Sequence, residues 1–150
     1  MDDTLIYAML ASTLRVSTPL ILCALAGLLS ERSGVVDIGL EGKMLAAAFA
    51  AGAMGATYQS TAVALLVGVL VATALSWMHG LACVSHKGDQ VVSGVAINII
   101  AAGLTVVLGI AWFAQGGQTP PVSDVVRIQP LFPGLQAAVQ GIPMAVSYTH

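Results

Sequence analysis

Charge is scarce in this 150-residue chain. Asp, Glu, Lys and Arg together make up 8% of it, where soluble domains carry roughly 25%. So few charges cannot cover a surface in water. The length, which would suit one soluble domain, therefore loses its usual meaning. Hydrophobic residues reach 57% and the mean hydropathy is +0.91, so the surface is built for lipid. No basic cluster exists and the net charge is −2, which argues against a nucleic-acid partner. Cys23 and Cys83 are the only cysteines, both inside apolar runs. They read as thiols packed as small hydrophobes, and a disulfide framework or metal site would need more ligands.

Catalytic signatures are missing as well. There is no G-x-S-x-G elbow, no H-E-x-x-H pair and no P-loop. Ser93, with His79 and His86 as the nearest histidine candidates, is too weak a set for a serine hydrolase. The chain is not expected to be an enzyme or to hydrolyse ATP itself, and no metal or cofactor is expected. A cleavable leader is not expected either. Asp2 and Asp3 stand where basic residues would, and the first apolar run is too long for a signal peptide.

What remains is four apolar runs, which predict an all-α, polytopic transmembrane protein of about four spans. The first, Leu5–Leu29, is long enough to cross a bilayer with tilt. It contains Arg15 near its middle and Pro19, which should kink it. Arg15 either sits near an interface, pairs within the bundle, or lines a polar path. The second run, Met44–Tyr58, is short for a span by itself. Its Ala48/Gly52 and Ala51/Gly55 pairs have small-xxx-small spacing, which suits close helix packing. The third is Thr61–Val84 and the fourth Val91–Ala114, with Trp77 and Trp112 placed as headgroup anchors. Asn98, well inside the fourth run, must find a partner. It is either glue between helices or a contact for a solute. Gln115–Gln140, rich in Gly and Pro, reads as an extramembrane loop, and a new apolar segment starts at Ile142.

The anomaly lies between the first two runs. Ser30–Gly42, SERSGVVDIGLEG, sets Glu31, Arg32, Asp37 and Glu41 among Gly34, Gly39 and Gly42. Charge and glycine inside apolar sequence predict a broken or re-entrant element near residues 33–43, of the kind that lines a path for a polar solute. If helical, Asp37 and Glu41 share a face at i and i+4 and repel. Arg32 and Lys43 are the nearby cations, so Glu31, Arg32 and Lys43 are candidates for structural ion pairs. The two acids either lock the broken segment or coordinate a solute. Removing Glu41 is expected to unbalance a buried charge constellation and impair uptake. The positive-inside rule puts Ser85–Gln90 in the cytoplasm and Gln115–Gln140 outside, and draws the charged run toward the cytoplasm.

Two blocks carry a family resemblance. TLRVSTPLILCALAGLLSERSGVVDIGLEGKMLAAAFAAG resembles the first part of permease subunits of bacterial ABC importers, the group of ribose, simple-sugar, nucleoside and branched-chain amino-acid permeases. HGLACVSHKGDQVVSGVAINIIAAGLT resembles the next block of that family, in the expected order. The resemblance implies a dimeric pore made with a second permease subunit, identical or not. It also implies two cytoplasmic ATP-binding subunits, an external solute-binding protein, and a place in the bacterial inner membrane. It makes Ser33–Gly42 the broken segment beside the path and Ser93–Asn98 the start of another helix near it. Arg15, Asp37, Glu41, Ser93 and Asn98 are then the substrate-path candidates. Asp37 stands where the family resembled would have Asn, and Lys43 where an apolar residue is usual, which suggests a compensating pair. The family runs to about twice this length, so residues 1–150 are expected to be the N-terminal part of one transmembrane permease domain. An ion-coupled secondary transporter and a non-transporting membrane scaffold are the competing readings.

Overall fold

The computed structural model describes residues 3–116 and 118–122, with backbone alone at 3, 4, 7, 8, 11 and 15. It falls into two units, one of Leu22–Arg127 and one of Met1–Ile21 with Ile128–His150. The described part of the second unit is the start of α1 (Asp3–Arg32). Here Thr13 Oγ1 donates to Met9 O and Thr18 Oγ1 to Leu14 O, both at 2.8 Å. Hydroxyls bonded back onto their own helix expose no unpaired group to lipid. Pro19 lies inside α1 and the helix continues through it. The Arg15 side chain lies outside the described residues.

The larger unit holds the end of α1, α2 (Leu40–Tyr58), α3 (Thr61–Gly80) and α4 (Gln90–Phe113). A π-helical turn, Leu81–Ser85, extends α3. No strand occurs among the described residues, so the architecture is all-α, as the four apolar runs predict. Among the described residues, three stretches are long and apolar enough to cross a membrane: Ser12–Arg32, Thr61–Ser85 and Gln90–Phe113. The fourth helix, α2, carries Glu41 and Lys43 in its first turn and is otherwise rich in Ala and Gly. None of the Ser12–Arg32 window is buried, and Leu14 and Leu29 are among its many exposed apolar side chains.

Small residues set the packing. A Cβ added at Gly68 of α3 would stand 3.2 Å from Ala51 Cβ and 3.3 Å from Ala47 O, so α2 and α3 meet almost backbone to backbone. They form an antiparallel hairpin joined by Gln59 and Ser60, with Gln59 left-handed at φ 51° and its N–H on Gly55 O. α4 starts on a cap: Asp89 Oδ1 accepts Val91 N–H at 2.8 Å and Val92 N–H at 3.0 Å. Its buried stripe is Gly94, Ile97, Ala101, Thr105 and Gly109, one face at helical spacing. Gly42 meets Asn98, and Phe49 lines a cavity with Thr105. α2 and α4 therefore run in the same direction, with α3 returning between their ends.

After α4 the chain reverses. Ala114 is left-handed, and Thr119 comes back onto α2, where a Cβ at Gly52 would stand 2.8 Å from Thr119 Oγ1. This part of the expected external loop lies against the helices. Residues 123–140 of that loop, and the apolar segment from Ile142, are outside the described residues.

Candidate functional site

The irregular segment is short. α1 stops at Arg32, helical structure resumes at Leu40, and residues 33–39 cross between them. Gly34 makes the turn possible at φ +86°, a conformation that side chains disfavour. Ser30 Oγ donates to Val35 O at 2.8 Å and ties the segment to the end of α1.

Two amides of α4 hold the rest. Gln90 Oε1 accepts Val36 N–H at 2.6 Å, and its Nε2 donates to Gly34 O at 3.4 Å. Two turns on, Asn98 Nδ2 donates to Ile38 O at 3.1 Å, and its Oδ1 accepts Gly42 N–H at 2.7 Å. Between them Gly94 lets the chains touch: a Cβ there would stand 2.9 Å from Gly39 N. Gln90, Gly94 and Asn98 recur every four residues, so they share one face of α4. That face reads backbone, which is where a non-helical segment in lipid has unpaired groups.

Charge is concentrated under the same segment. Lys43 Nζ donates to Asp37 Oδ2, and both side chains are more than nine-tenths buried. The other carboxylate oxygen of Asp37 accepts Gly39 N–H at 3.1 Å and so places a negative charge at the amino end of α2. His79, 2% exposed, lies beside it: Nε2 is 3.4 Å from Val36 O and 3.7 Å from Asp37 Oδ1, and Nδ1 is 3.1 Å from Ser93 Oγ. Cys83 Sγ sits 3.7 Å from His79 Nε2.

Of the residues singled out in the sequence, Asp37, Lys43, Ser93 and Asn98 come together here. Glu41 does not. It is exposed, and among the described residues neither it nor Glu31 nor Arg32 forms an ion pair. The expected buried constellation around Glu41 is not seen among the described residues, where Glu41 stands exposed at the first turn of α2. Asn98 serves as glue and Ser93 contacts His79. Gln90 and His79 were missed as site residues. The four-residue recurrence of Gln90, Gly94 and Asn98 was the available signal for the first, while nothing local marked His79.

Ser93, His79 and Asp37 stand in one cluster without the continuous hydrogen-bonded chain of a Ser-His-Asp triad. The His79–Asp37 separation of 3.7 Å is beyond a hydrogen bond, and Lys43 holds the carboxylate. Among the described residues no three His, Cys, Asp or Glu side chains are grouped to hold a metal ion. The arrangement fixes backbone geometry and buries a compensated charge.

Residues 9–141 match the family described as "Branched-chain amino acid transport system / permease component". A putative glucose ABC transporter permease protein of Haloferax volcanii is 36% identical over 107 residues, 71% of this chain and 32% of the relative. A guanosine ABC transporter permease protein of Bacillus subtilis is 42% identical over 100 residues, 63% of this chain and 31% of the relative. A nucleoside ABC transporter permease protein of Lactococcus lactis is 36% identical over 114 residues, 71% of this chain and 35% of the relative. The chain thus spans about a third of the length of these relatives. No solved structure matches it. Match and helices together make this a multi-pass membrane protein, and the chain belongs to the permease-component family of the branched-chain amino acid transport system.

Proposed function

We propose that this chain forms the amino-terminal part of a single permease domain in an ATP-driven importer, beside the path of a small polar solute, a nucleoside or simple sugar. The observation that carries the reading is the match of residues 9–141 to a permease family, with relatives named for glucose, guanosine and nucleosides. The clamped irregular segment 33–39 fits it, since non-helical backbone among membrane helices belongs beside a cavity or within packed protein. ATP hydrolysis falls to separate cytoplasmic subunits, solute capture to an external binding protein, and the pore to two permease subunits in a bacterial inner membrane.

The orientation follows from which ends meet. Gln90 binds Val36 and Gly34, so segment 33–39 lies at the same end as the turn at 86–89. Arg32 and Lys87 gather there, and the positive-inside rule makes that end cytoplasmic. The test is uptake of radiolabelled guanosine and glucose by cells carrying the transporter with its neighbouring genes. Uptake should vanish when the ATP-binding partner loses its P-loop lysine and should survive a protonophore. Uptake that follows the proton or sodium gradient instead would overturn the reading in favour of a secondary transporter.

A further inference from the structure

A second irregular piece of chain lies on the helices far from the charged cluster. Between α2 and α4 is a cleft of about 370 Å³ lined by Leu45, Ala48, Phe49, Thr105, Gln118 and Thr119. Thr105 lies eight residues before the end of α4 at Phe113, or about 12 Å down its axis. Gln118 and Thr119 follow that end in sequence, yet they line the same cleft, and Thr119 rests on Gly52. The chain has therefore folded back along α4 as non-helical backbone. In a lipid-facing protein, such backbone is tolerated at depth only inside protein or along a wet cavity.

The lining has a definite chemistry. Phe49 offers an aromatic surface, and Leu45 and Ala48 are apolar. Thr105 is 5% exposed and its hydroxyl donates to Ala102 O at 3.1 Å, which leaves the oxygen able to accept. The Gln118 amide and Thr119 hydroxyl have no hydrogen-bond partner among the described residues, and the cleft is where they stand. The volume lies within the range of roughly 300–1,000 Å³ that suits small-molecule sites. Among the described residues no charged side chain lines it, so a zwitterionic amino acid would find no counter-charge from them, at a high desolvation cost.

We propose that this cleft is a solute station of the permease, taking a neutral ring-shaped solute with one apolar face and several hydrogen-bonding groups, a nucleoside or a sugar, and rejecting free amino acids. This rests on the permease reading. It goes further by naming the site, the six side chains and the class excluded. Phe49 stacks on the apolar face, while Gln118 and Thr119 bond the polar edge as the solute comes from the end opposite the charged cluster.

The test uses the assembled transporter with Cys23 and Cys83 replaced by alanine and Ala48→Cys introduced at the cleft wall, a position with no bonding role. A membrane-impermeant methanethiosulfonate should modify that cysteine, and saturating guanosine or glucose should slow the reaction severalfold. Protection by guanosine alone identifies a nucleoside station, and protection by glucose alone a sugar station. Leucine should give no protection, and protection by leucine would overturn the solute class. A modification rate unmoved by either solute, in a variant that still transports, would overturn the site. A second arm, Ala48→Phe, fills the cleft and should abolish uptake while the ATP-binding subunits still co-purify with the permease. Full uptake by that variant would also sink the proposal. Uptake that proves gradient-driven would remove the ATP-driven reading yet leave the protection pattern standing, so the two failures are distinct.

Discussion

Asn98 of α4 caps the amino end of α2 through Gly42, accepting its N–H at 2.7 Å. A helix leaves its first N–H groups unpaired, and its own preceding residues usually supply the acceptor. Here the N-cap is Gly39, which has no side chain to offer. The acceptor arrives from a residue 56 positions away. The same amide donates to Ile38 O, so one side chain closes both sides of the break.

Replacing Asn98 by Leu should therefore cost more than a lost amide normally does. Gly42 N–H and Ile38 O would both be left without a partner, at about 1–3 kcal/mol each. Thermal unfolding of the detergent-solubilised protein should move down by several degrees. Asn98→Asp keeps the acceptor and loses the donor, and should fall between the two. Equal melting of all three proteins would show that the cap is idle.

Asp37 and Lys43 should behave as a unit. Asp37→Asn leaves a buried ammonium without its counter-charge, and Lys43→Met leaves a buried carboxylate. Each single change is expected to destabilise by about 3–5 kcal/mol. The double change removes both charges together and restores stability to near the starting value, because a buried pair contributes little net over an apolar replacement. The coupling in this double-mutant cycle is the measurement. Additive losses would mean that the two groups do not sense each other.

Glu41 gives the matching contrast. It is exposed and makes no ion pair among the described residues, so Glu41→Ala should leave membrane abundance and unfolding temperature within the small range of surface substitutions, about 0.5 kcal/mol. A loss as large as that of Asp37→Asn would place Glu41 in contact with something beyond these residues.

Two glycines of α4 should respond with opposite sign. A methyl at Gly94 would stand 2.9 Å from Gly39 N and 3.3 Å from Ile38 Cβ, so Gly94→Ala forces backbones apart and should destabilise by about 1–3 kcal/mol. A methyl at Gly103 meets nothing within 4 Å, so Gly103→Ala should stabilise the helix by about 0.5–1 kcal/mol. Paired melting curves decide it.

Helices were legible in the sequence because long apolar runs in a charge-poor chain leave little else. The break at 33–39 was legible because Gly34, Gly39 and charge interrupt those runs. Its interior was not. Asp37 and Glu41 look alike at i and i+4, yet the fold buries one and exposes the other. That choice depends on α3 bringing His79 beside Asp37 and on α4 laying Gly94 against Gly39, contacts set by residues 42 to 57 positions away. The return of Thr119 onto Gly52 was equally hidden, since a stretch rich in Gly and Pro carries no periodicity to say where it lies.

The close touch of Gly94 and Gly39 also restricts how the helices can move. Suppose α4 slid along α2 by one turn, about 5.4 Å. Gly42 would lose its acceptor, Val36 would lose Gln90, and a side-chain-bearing residue of α4 would arrive where only a glycine fits. Sliding is blocked at three points at once, whereas tilting about the glycine contact disturbs none of them at first order. The end of this helix pair where Gly39 meets Gly94 would act as a pivot, and an opening between α2 and α4 would widen toward the other end.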